Sequence, residues 1–367
     1  MVGVVTVVVD YGREPGGGKW VCPARECWGL GPHQKMTPEL EDRVCLTATL
    51  TGSYEAAALL CAKWGSAVEA STIRAHACHV GQRAAAQVEG RWKGEKSAGS
   101  VGRVGKRVAP AALVIMMDGW LVRQRGEHWG ERPAGPLVGR IAWHEVKGAV
   151  IYRLEQAGHT AGGRGVIAPK YVVAGQEEPL DFGRRVQAEA GRRGLAQAQA
   201  VYVVADGGVW IWKVQQDRFG RAQGVLDFYH ASQHLWAVAR ALYPEDESEA
   251  RGWVEPLLSQ LRHGQEQGVL QVLEDLPAWC LERGRAVPPE VTREQDYFRN
   301  HREHIHYELM AAQGCPIGSG AMESFCSQLQ GRFKRCGQFW SAEGLADLLA
   351  LDVARRNLDW DALWCQN

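Results

Sequence analysis

The sequence predicts an α/β protein in which a strand-rich part lies between helical segments. Two short buried runs of apolar and β-branched residues, Ala111–Met117 and Val201–Ala205, each lead directly into an Asp-Gly pair. Helical spacing of apolar residues marks the chain before residue 90 and again from about 231 to 300. With 367 residues, the chain is long enough to bury a sizeable core in two or three domains.

Composition indicates a soluble globular protein and does not identify a partner. The chain is 46% hydrophobic and 23% charged, and its 42 Lys and Arg balance 42 Asp and Glu, so any nucleic-acid surface must be local. Ten scattered cysteines suggest no disulfide framework, which fits a reducing cytoplasm. Met1–Val9 is predicted to be a strand, and no segment approaches a membrane span. A cytosolic protein without membrane contact is expected.

The first segment, residues 1–35, is strand-like and then Gly-rich, and it contains a close cysteine pair at Cys22 and Cys27. Such a pair can be half of a zinc site, but a closed structural site takes four ligands. Cys45 falls within a predicted helix and His33 is a poor fourth ligand. The sequence leaves zinc binding at this pair open.

Residues 36–90 are predicted to form a small helical domain. Thr37 as N-cap and Pro38 at the first helical position begin a helix, and Ser53–Trp64 fits a second. A third helix is expected over Ser71–Val80, stopped by Gly81.

The last two of these helices fit a helix-turn-helix and a generic helical bundle equally well. The DNA-binding alternative places Arg74, His76 and His79 on the second helix of the pair. A basic, Gly-rich linker over residues 91–109 follows, of a kind that can track a phosphate backbone. Together the two segments favour DNA as the ligand.

Residues 110–230 are predicted to be strand-rich. The first Asp-Gly strand is followed by Gly139–Arg153, which alternates and breaks at Gly148 like a hairpin. Residues 178–200 then predict a helix that leads to the strand before Asp206. A meander of strands, then a helix, then another buried strand is the order expected of a ribonuclease-H-like core. Taken singly, either Asp-Gly pair is explained as well by turn chemistry.

Residues 231–312 are expected to be entirely helical, with Pro244 and Pro277 as breaks. The spacing of His301, His304 and His306 resembles a metal motif, but a polar helix face is the favoured interpretation because no acidic or cysteine cluster completes it.

The C-terminal segment, residues 313–367, carries a third acidic candidate. Gly318-Ser-Gly is a tight turn that opens a helix with Glu323 in its first turn; balancing the helix dipole is the alternative role for this glutamate. Further along the helix, Arg332, Lys334 and Arg335 are expected to form one basic stripe.

Two strand-end aspartates and a glutamate on a late helix make an oxygen-rich site suited to two Mg²⁺ or Mn²⁺ ions. Such a pair activates a water or a 3′-hydroxyl for in-line displacement at a phosphodiester.

The spaced motifs resemble DDE transposases of bacterial insertion sequences, in particular the ISKra-like group related to Mutator-like elements. The motifs are Asp118-Gly, Asp206-Gly-Gly-Val-Trp-Ile-Trp, Leu226-Asp-Phe-Tyr-His230 and Gly318-Ser-Gly-Ala-Met-Glu323, and the resemblance spans about residues 37–365. It implies a ribonuclease-H-like catalytic core with a long all-α insertion, preceded by a small helix-turn-helix-like domain. Ala205 and the short N-terminal region depart from the family pattern.

The resemblance also implies residue roles. Asp118, Asp206 and Glu323 would be the catalytic, metal-binding triad, with Asp227 and His230 as supporting residues near the site. The implied activity is cleavage at transposon ends followed by strand transfer into target DNA, in a bacterial cytoplasm at the nucleoid, by a homo-oligomer. The helix-turn-helix region would recognise the terminal inverted repeats, Arg332, Lys334 and Arg335 would contact phosphates, and Trp340 would stack on a base.

Two alternatives from other classes remain. One is a domesticated or decayed transposase that only binds DNA, and the other is a metal-dependent nuclease on the same fold that cuts without joining ends.

Overall fold

A computed structural model describes residues 8–14, 16–28, 30, 36–92, 112–131 and 139–364. Most of the strand predicted at Met1–Val9, His33 and most of the linker predicted at 91–109 lie outside these residues.

The described residues form a mixed α/β structure with many helices. The strands are β1 (Gly12–Arg13), β2 (Trp20–Val21), β3 (Ala112–Arg125), β4 (Ile141–Arg153), β5 (Ala157–His159), β6 (Gly165–Ile167), β7 (Tyr171–Gly175), β8 (Ala200–Ala205) and β9 (Gln223–Leu226). The helices are α1 (Pro23–Cys27), α2 (Pro38–Leu50), α3 (Tyr54–Lys63), α4 (Ala70–Trp92), α5 (Pro179–Arg192), α6 (Val209–Arg218), α7 (Phe228–Leu242), α8 (Glu247–Arg262), α9 (Glu266–Glu282), α10 (Pro289–Asn300), α11 (Tyr307–Ala312), α12 (Gly320–Phe333) and α13 (Ala342–Arg356). None of the helices in the described ranges combines the length and the apolar character that a membrane crossing needs.

The described residues divide into two compact units. The first contains residues within 1–103, 121–146 and 327–367, and the second contains residues within 104–120 and 147–326.

The second unit is built around a five-stranded mixed sheet with the order β7-β4-β3-β8-β9. β8 runs parallel to both β3 and β9, whereas β4 and β7 run antiparallel to each other. The described part of β3 before Asp118 and nearly all of β8 are buried, as expected for central strands covered on both faces. The helices α5 and α6 follow β7 and β8 along the chain, and a parallel pair requires such crossovers.

Two strand predictions are corrected by this sheet. β3 does not end at Asp118 but continues to Arg125, so its Asp-Gly pair lies inside a strand. The Gly139–Arg153 region is not a hairpin: β4 is one continuous strand through Gly148, and the hairpin is instead formed by β5 and β6. The strand before Asp206 does end where it was predicted to end, at Ala205.

Gly148 lies in β4 because a helix approaches the sheet closely at this point. A Cβ atom at this position would lie 2.6 Å from Met322 Cε and 3.4 Å from Phe325 Cε1. Both residues belong to α12, the helix that carries Glu323. The missing side chain, rather than a turn, explains this glycine.

Between β9 and α12 the second unit is helical, as predicted, with α7 to α11 in succession. Asp246 caps α8 through its carboxylate, which accepts hydrogen bonds from the backbone N–H groups of Ser248 and Glu249. Pro244 lies between α7 and α8, but Pro277 lies inside α9 and does not end it. The expected break at Pro277 is therefore wrong.

In the first unit, α2, α3 and α4 begin close to their predicted positions. The hydroxyls of Thr37 and Ser53 accept hydrogen bonds from Leu40 N and Ala56 N, so both residues are the expected N-caps. The third helix differs from its prediction, because α4 continues through Gly81 to Trp92.

Gly81 does not stop α4 but lets it approach α13. A Cβ atom here would lie 2.2 Å from the backbone oxygen of Asp347. The neighbouring Gln82 Nε2 donates to Asp347 Oδ2 at 3.2 Å. The glycine is therefore a packing requirement between two helix backbones.

We predict that Gly81→Ala destabilises the protein, although alanine is the better helix former by about 1 kcal/mol. The added methyl group would collide with backbone that cannot rotate away, and overpacking of this kind costs about 1–3 kcal/mol. Urea denaturation measures the free energy of unfolding. Gly252→Ala, inside α8 with no atom within 4 Å of the new Cβ, is the control and is expected to stabilise the protein. Equal stabilisation by both changes would contradict the close helix packing.

Candidate functional site

Three aspartates directly follow paired positions on three adjacent parallel strands. Met117 of β3 pairs with Ala205 of β8, and Ala205 pairs with Leu226 of β9. The residues that come next in the chain after these three positions are Asp118, Asp206 and Asp227. The carboxyl ends of parallel strands meet at one edge of a sheet, where α/β proteins place their chemistry. The register therefore brings three carboxylates to the same edge.

Asp118 lies in a partly buried position on β3. Its Oδ1 accepts a hydrogen bond from Gly119 N at 2.6 Å, and the Cys326 thiol donates to its Oδ2 at 3.5 Å. Burial raises the pKa of Asp118, and the negative charge of Asp206 adds to the increase, whereas the two hydrogen bonds and His230 oppose it. Asp118 and Asp206 are thus close enough to repel each other.

Asp206 begins a turn that is held from outside the sheet by two residues. Tyr297 belongs to α10, and His301 directly follows this helix. Gly207 has φ +102°, and a Cβ atom there would lie 2.8 Å from Tyr297 Oη. The Tyr297 hydroxyl donates to Asp206 O at 2.9 Å, and His301 Nε2 lies 3.1 Å from Gly207 O. Burial raises the pKa of Tyr297, so its phenol stays protonated as a donor. Backbone on both sides of the turn is therefore fixed by the helical segment.

Asp227 is fully buried, and its carboxylate binds backbone. Oδ1 accepts from Tyr229 N at 2.7 Å and from His230 N at 3.1 Å, which makes Asp227 the N-cap of α7. Oδ2 accepts from Ser319 N at 2.5 Å. The side chain thus joins the end of β9 to the turn that opens α12.

Glu323 lies in the first turn of α12, as predicted, and is exposed. One helical turn later, Cys326 is buried. Burial raises the pKa of the Cys326 thiol, and the negative charges of Asp118, Asp206 and Glu323 add to the increase. The three carboxylates predicted as a triad thus act electrostatically on one thiol, but their ligating atoms do not all lie within 4.8 Å of one another.

The described residues contain one group of three side chains whose metal-ligating atoms all lie within 4.8 Å of one another. Its members are Asp227, His230 and Glu323. The two cysteines of the N-terminal segment do not belong to such a group among the described residues, where Cys22 is buried and Cys27 is exposed.

The residues predicted to contact DNA differ in their exposure. Arg74, His79, Lys334 and Arg335 are exposed, and His76 is half-buried with Nδ1 2.5 Å from Glu41 Oε1. The expected basic stripe along one helix is not found, because α12 ends at Phe333, before Lys334 and Arg335.

Arg332 and Trp340 make internal contacts instead. Arg332 is 6% exposed, and its guanidinium donates to Ala48 O and Gly52 O at 3.2 and 3.3 Å. Trp340 is 9% exposed and donates from Nε1 to Phe333 O at 2.8 Å. Their expected contacts with phosphate and base are not supported, because both side chains are occupied within the first unit.

Three residues near the site were not identified from the sequence: Tyr297, His301 and Cys326. Cys326 carried a usable signal, because it lies three positions after Glu323 and so shares its helix face. Tyr297 carried none, and His301 was interpreted as part of a polar helix face but is buried. The contacts of both residues with the Asp206 turn join segments about ninety positions apart.

The fold and site together define a mixed α/β protein with carboxylates placed where the parallel pairing of β3, β8 and β9 ends. No protein-family model matches the chain, and no curated protein matches it in sequence. Among solved structures, the chain is similar to the Drosophila P element transposase strand transfer complex, with 11% sequence identity and a TM-score of 0.41. The alignment covers 92% of this chain and 96% of that chain. A likeness this low assigns neither a family nor an activity.

We predict that Tyr297→Phe loosens the Asp206 turn, because the Asp206 carbonyl loses its phenolic donor. A polar group left unpaired in a partly buried position costs about 1–3 kcal/mol. Urea denaturation measures this loss, and hydrogen exchange measured by mass spectrometry reports faster exchange of the amides of residues 206–208.

The matched control is Tyr202→Phe, which removes a hydroxyl that donates to Gln313 Oε1 at 2.8 Å. It should leave the exchange of residues 206–208 unchanged. Equal protection of this turn in wild type and Tyr297→Phe would show that the phenol does not hold it.

Proposed function

We propose that the protein is a DDE transposase that cleaves DNA at the ends of an insertion sequence and transfers the freed strands into target DNA. The observation that carries this proposal is the register of β3, β8 and β9, which brings Asp118 and Asp206 to one edge of the sheet, with Glu323 acting electrostatically on the same Cys326 thiol as these two aspartates. Cleavage and joining of phosphodiesters by acidic residues need such a group of carboxylates on a rigid support.

The strand arrangement supports a ribonuclease-H-like core. β3, β4 and β7 are consecutive neighbours in the sheet, as in a meander, and β8 and β9 add to the other side of β3 in parallel. Helices α7 to α11 then separate the second aspartate from the helix with Glu323. This order agrees with a core that receives a long all-α insertion.

The donor set fits two Mg²⁺ or Mn²⁺ ions. Carboxylate oxygens are the ligands that these hard cations prefer, and a bound cation would offset the mutual repulsion of Asp118 and Asp206. Bound there, the ions would supply activation of the attacking water or 3′-hydroxyl and stabilisation of the leaving oxygen.

The protein's own residues would hold this site in a fixed geometry. Asp118 and Asp206 each accept one hydrogen bond from a nearby backbone N–H, which orients the carboxylate and leaves other lone pairs for a ligand. Cys326, kept protonated by burial and the surrounding negative charge, donates to Asp118. Asp227 would act through backbone, by fixing the start of the helix that presents Glu323.

Recognition of the terminal inverted repeats is proposed for the helical domain at residues 36–90. Its exposed Arg74 and His79, together with exposed Lys334 and Arg335, are the available cationic or hydrogen-bonding side chains from the predicted set. The protein would work as a homo-oligomer on DNA, because two transposon ends must be joined to one target. Its proposed location is a bacterial cytoplasm.

We predict that Asp206→Asn and Glu323→Gln each lower DNA cleavage by at least about 100-fold, because each removes a charge that stabilises the reacting centre. DNA binding should survive, since neither residue belongs to the proposed recognition surface. The assay uses purified protein, a labelled duplex with the terminal repeat of its own genetic element and a target plasmid, with Mg²⁺ or with EDTA. Nicked 3′ ends and joined products are quantified separately.

Asp296→Asn is the matched control, because Asp296 is an exposed aspartate paired with Arg299 at 2.7 Å on α10. It should cleave like wild type. Cutting without joining would favour a nuclease on the same fold, and binding without any cutting would favour a protein that acts through DNA binding alone. Wild-type cleavage by either triad variant would remove the triad assignment.

A further inference from the structure

We infer that Asp227, His230 and Glu323 form a mixed nitrogen and oxygen site that binds a first-row transition-metal ion in preference to Mg²⁺. The inference deepens the proposed function and rests on it for the ion's role in catalysis, because Glu323 belongs to both sets. Binding of the ion itself needs neither DNA nor turnover.

The three side chains meet although they come from separate segments. Asp227 follows β9, His230 lies in the first turn of α7, and Glu323 lies in the first turn of α12. One ligand atom from each lies within 4.8 Å of the other two. This grouping depends on the Asp227–Ser319 hydrogen bond, which holds the starts of both helices together.

His230 is the member that points to a ligand. Its Nδ1 is buried and has no hydrogen-bond partner in the described part of the chain, and it lies 4.0 Å from Asp227 Oδ1. A buried polar atom without a partner is costly. A metal ion would satisfy an imidazole nitrogen in this position, since neutral imidazole is a common metal ligand.

Asp227 retains capacity for a ligand despite its backbone contacts. A carboxylate has about four lone-pair sites, and the three N–H donors leave one unused. Ligand atoms bind zinc at about 2.0–2.2 Å, so the group must contract slightly around an ion. Glu323 is exposed, and a change of its side-chain rotamer would make this movement.

The donor set decides the metal preference. Mg²⁺ keeps an oxygen shell and several waters, whereas imidazole suits transition ions such as Zn²⁺. Mn²⁺ is the weakest binder of the first-row transition series, but it accepts a nitrogen ligand more readily than the harder Mg²⁺. Asp118 and Asp206 offer oxygen atoms alone. His230 is therefore the residue that sets the preference at this position.

The test uses the full-length protein with Mn²⁺ as a paramagnetic probe and without DNA. Electron spin-echo modulation from an imidazole nitrogen is expected in wild type and is expected to be absent in His230→Asn. Calorimetric titration with MnCl₂ and MgCl₂ should show the Mn²⁺ affinity falling by about 10-fold or more in His230→Asn, with little change for Mg²⁺.

His263→Asn is the control, because His263 is an exposed histidine at the end of α8. This variant measures how much adventitious binding by surface imidazoles contributes to the signal. It should keep both the nitrogen modulation and the Mn²⁺ affinity. Circular dichroism verifies that each variant folds, and His230→Gln replaces His230→Asn if the latter does not.

The outcomes separate this site from the proposed function. Wild-type protein without nitrogen modulation, or equal modulation in wild type and a folded His230 variant, would overturn the inference. Nitrogen modulation that depends on His230, in a protein that neither cleaves nor joins DNA, would support the metal site and contradict the transposase proposal. Dependence on His230 together with metal-dependent joining would support both.

Discussion

The buried carboxylate of Asp227 is the constraint on which the site depends. Its two oxygens accept three backbone N–H groups, from Tyr229 and His230 at the start of α7 and from Ser319 before α12. Its own backbone N–H donates to Ala205 O at 2.7 Å, immediately before Asp206. A fully desolvated charge is tolerated only with such pairing. One residue thus fixes two helix starts and a strand end together.

The same sheet edge produces two kinds of aspartate. Asp227 directs its oxygens into backbone and is 0% exposed, while Asp118 and Asp206 are only partly buried and each accept a single backbone N–H among the described contacts. Burial raises the pKa of Asp118, and charge repulsion from Asp206 adds to the increase. The difference in hydrogen bonding separates a carboxylate that mainly fixes backbone from two that keep most of their lone pairs for a ligand, although all three residues follow equivalent strand positions.

Local signals in the sequence predicted much of this arrangement, and long-range packing limited the rest. Features that depend on neighbouring residues were predicted in agreement with the structure. They are the helix caps Thr37 and Ser53, the strand end at Ala205 and the helix start before Glu323. Gly81 and Gly148 were taken for a helix stop and a hairpin break, because a glycine that makes room for a distant backbone or side chain has the same local appearance. The burial of Arg332 could not be predicted from the sequence either, because its hydrogen-bond acceptors lie about 280 positions away.

The helical segment between Asp206 and Glu323 helps to position the Asp206 turn, a role that its sequence did not indicate. Tyr297 and His301 are separated by one helical turn, and both reach carbonyl oxygens of the Asp206–Gly207 turn. Gly207 adopts a φ of +102°, and its missing side chain leaves room for the tyrosine hydroxyl. Glycine adopts this conformation readily, and the contacts of Tyr297 and His301 with the turn's carbonyl oxygens select it from the others that glycine can adopt. The helices inserted after the second aspartate therefore contribute to its position, so that loss of their packing would displace a carboxylate whose own strand is intact.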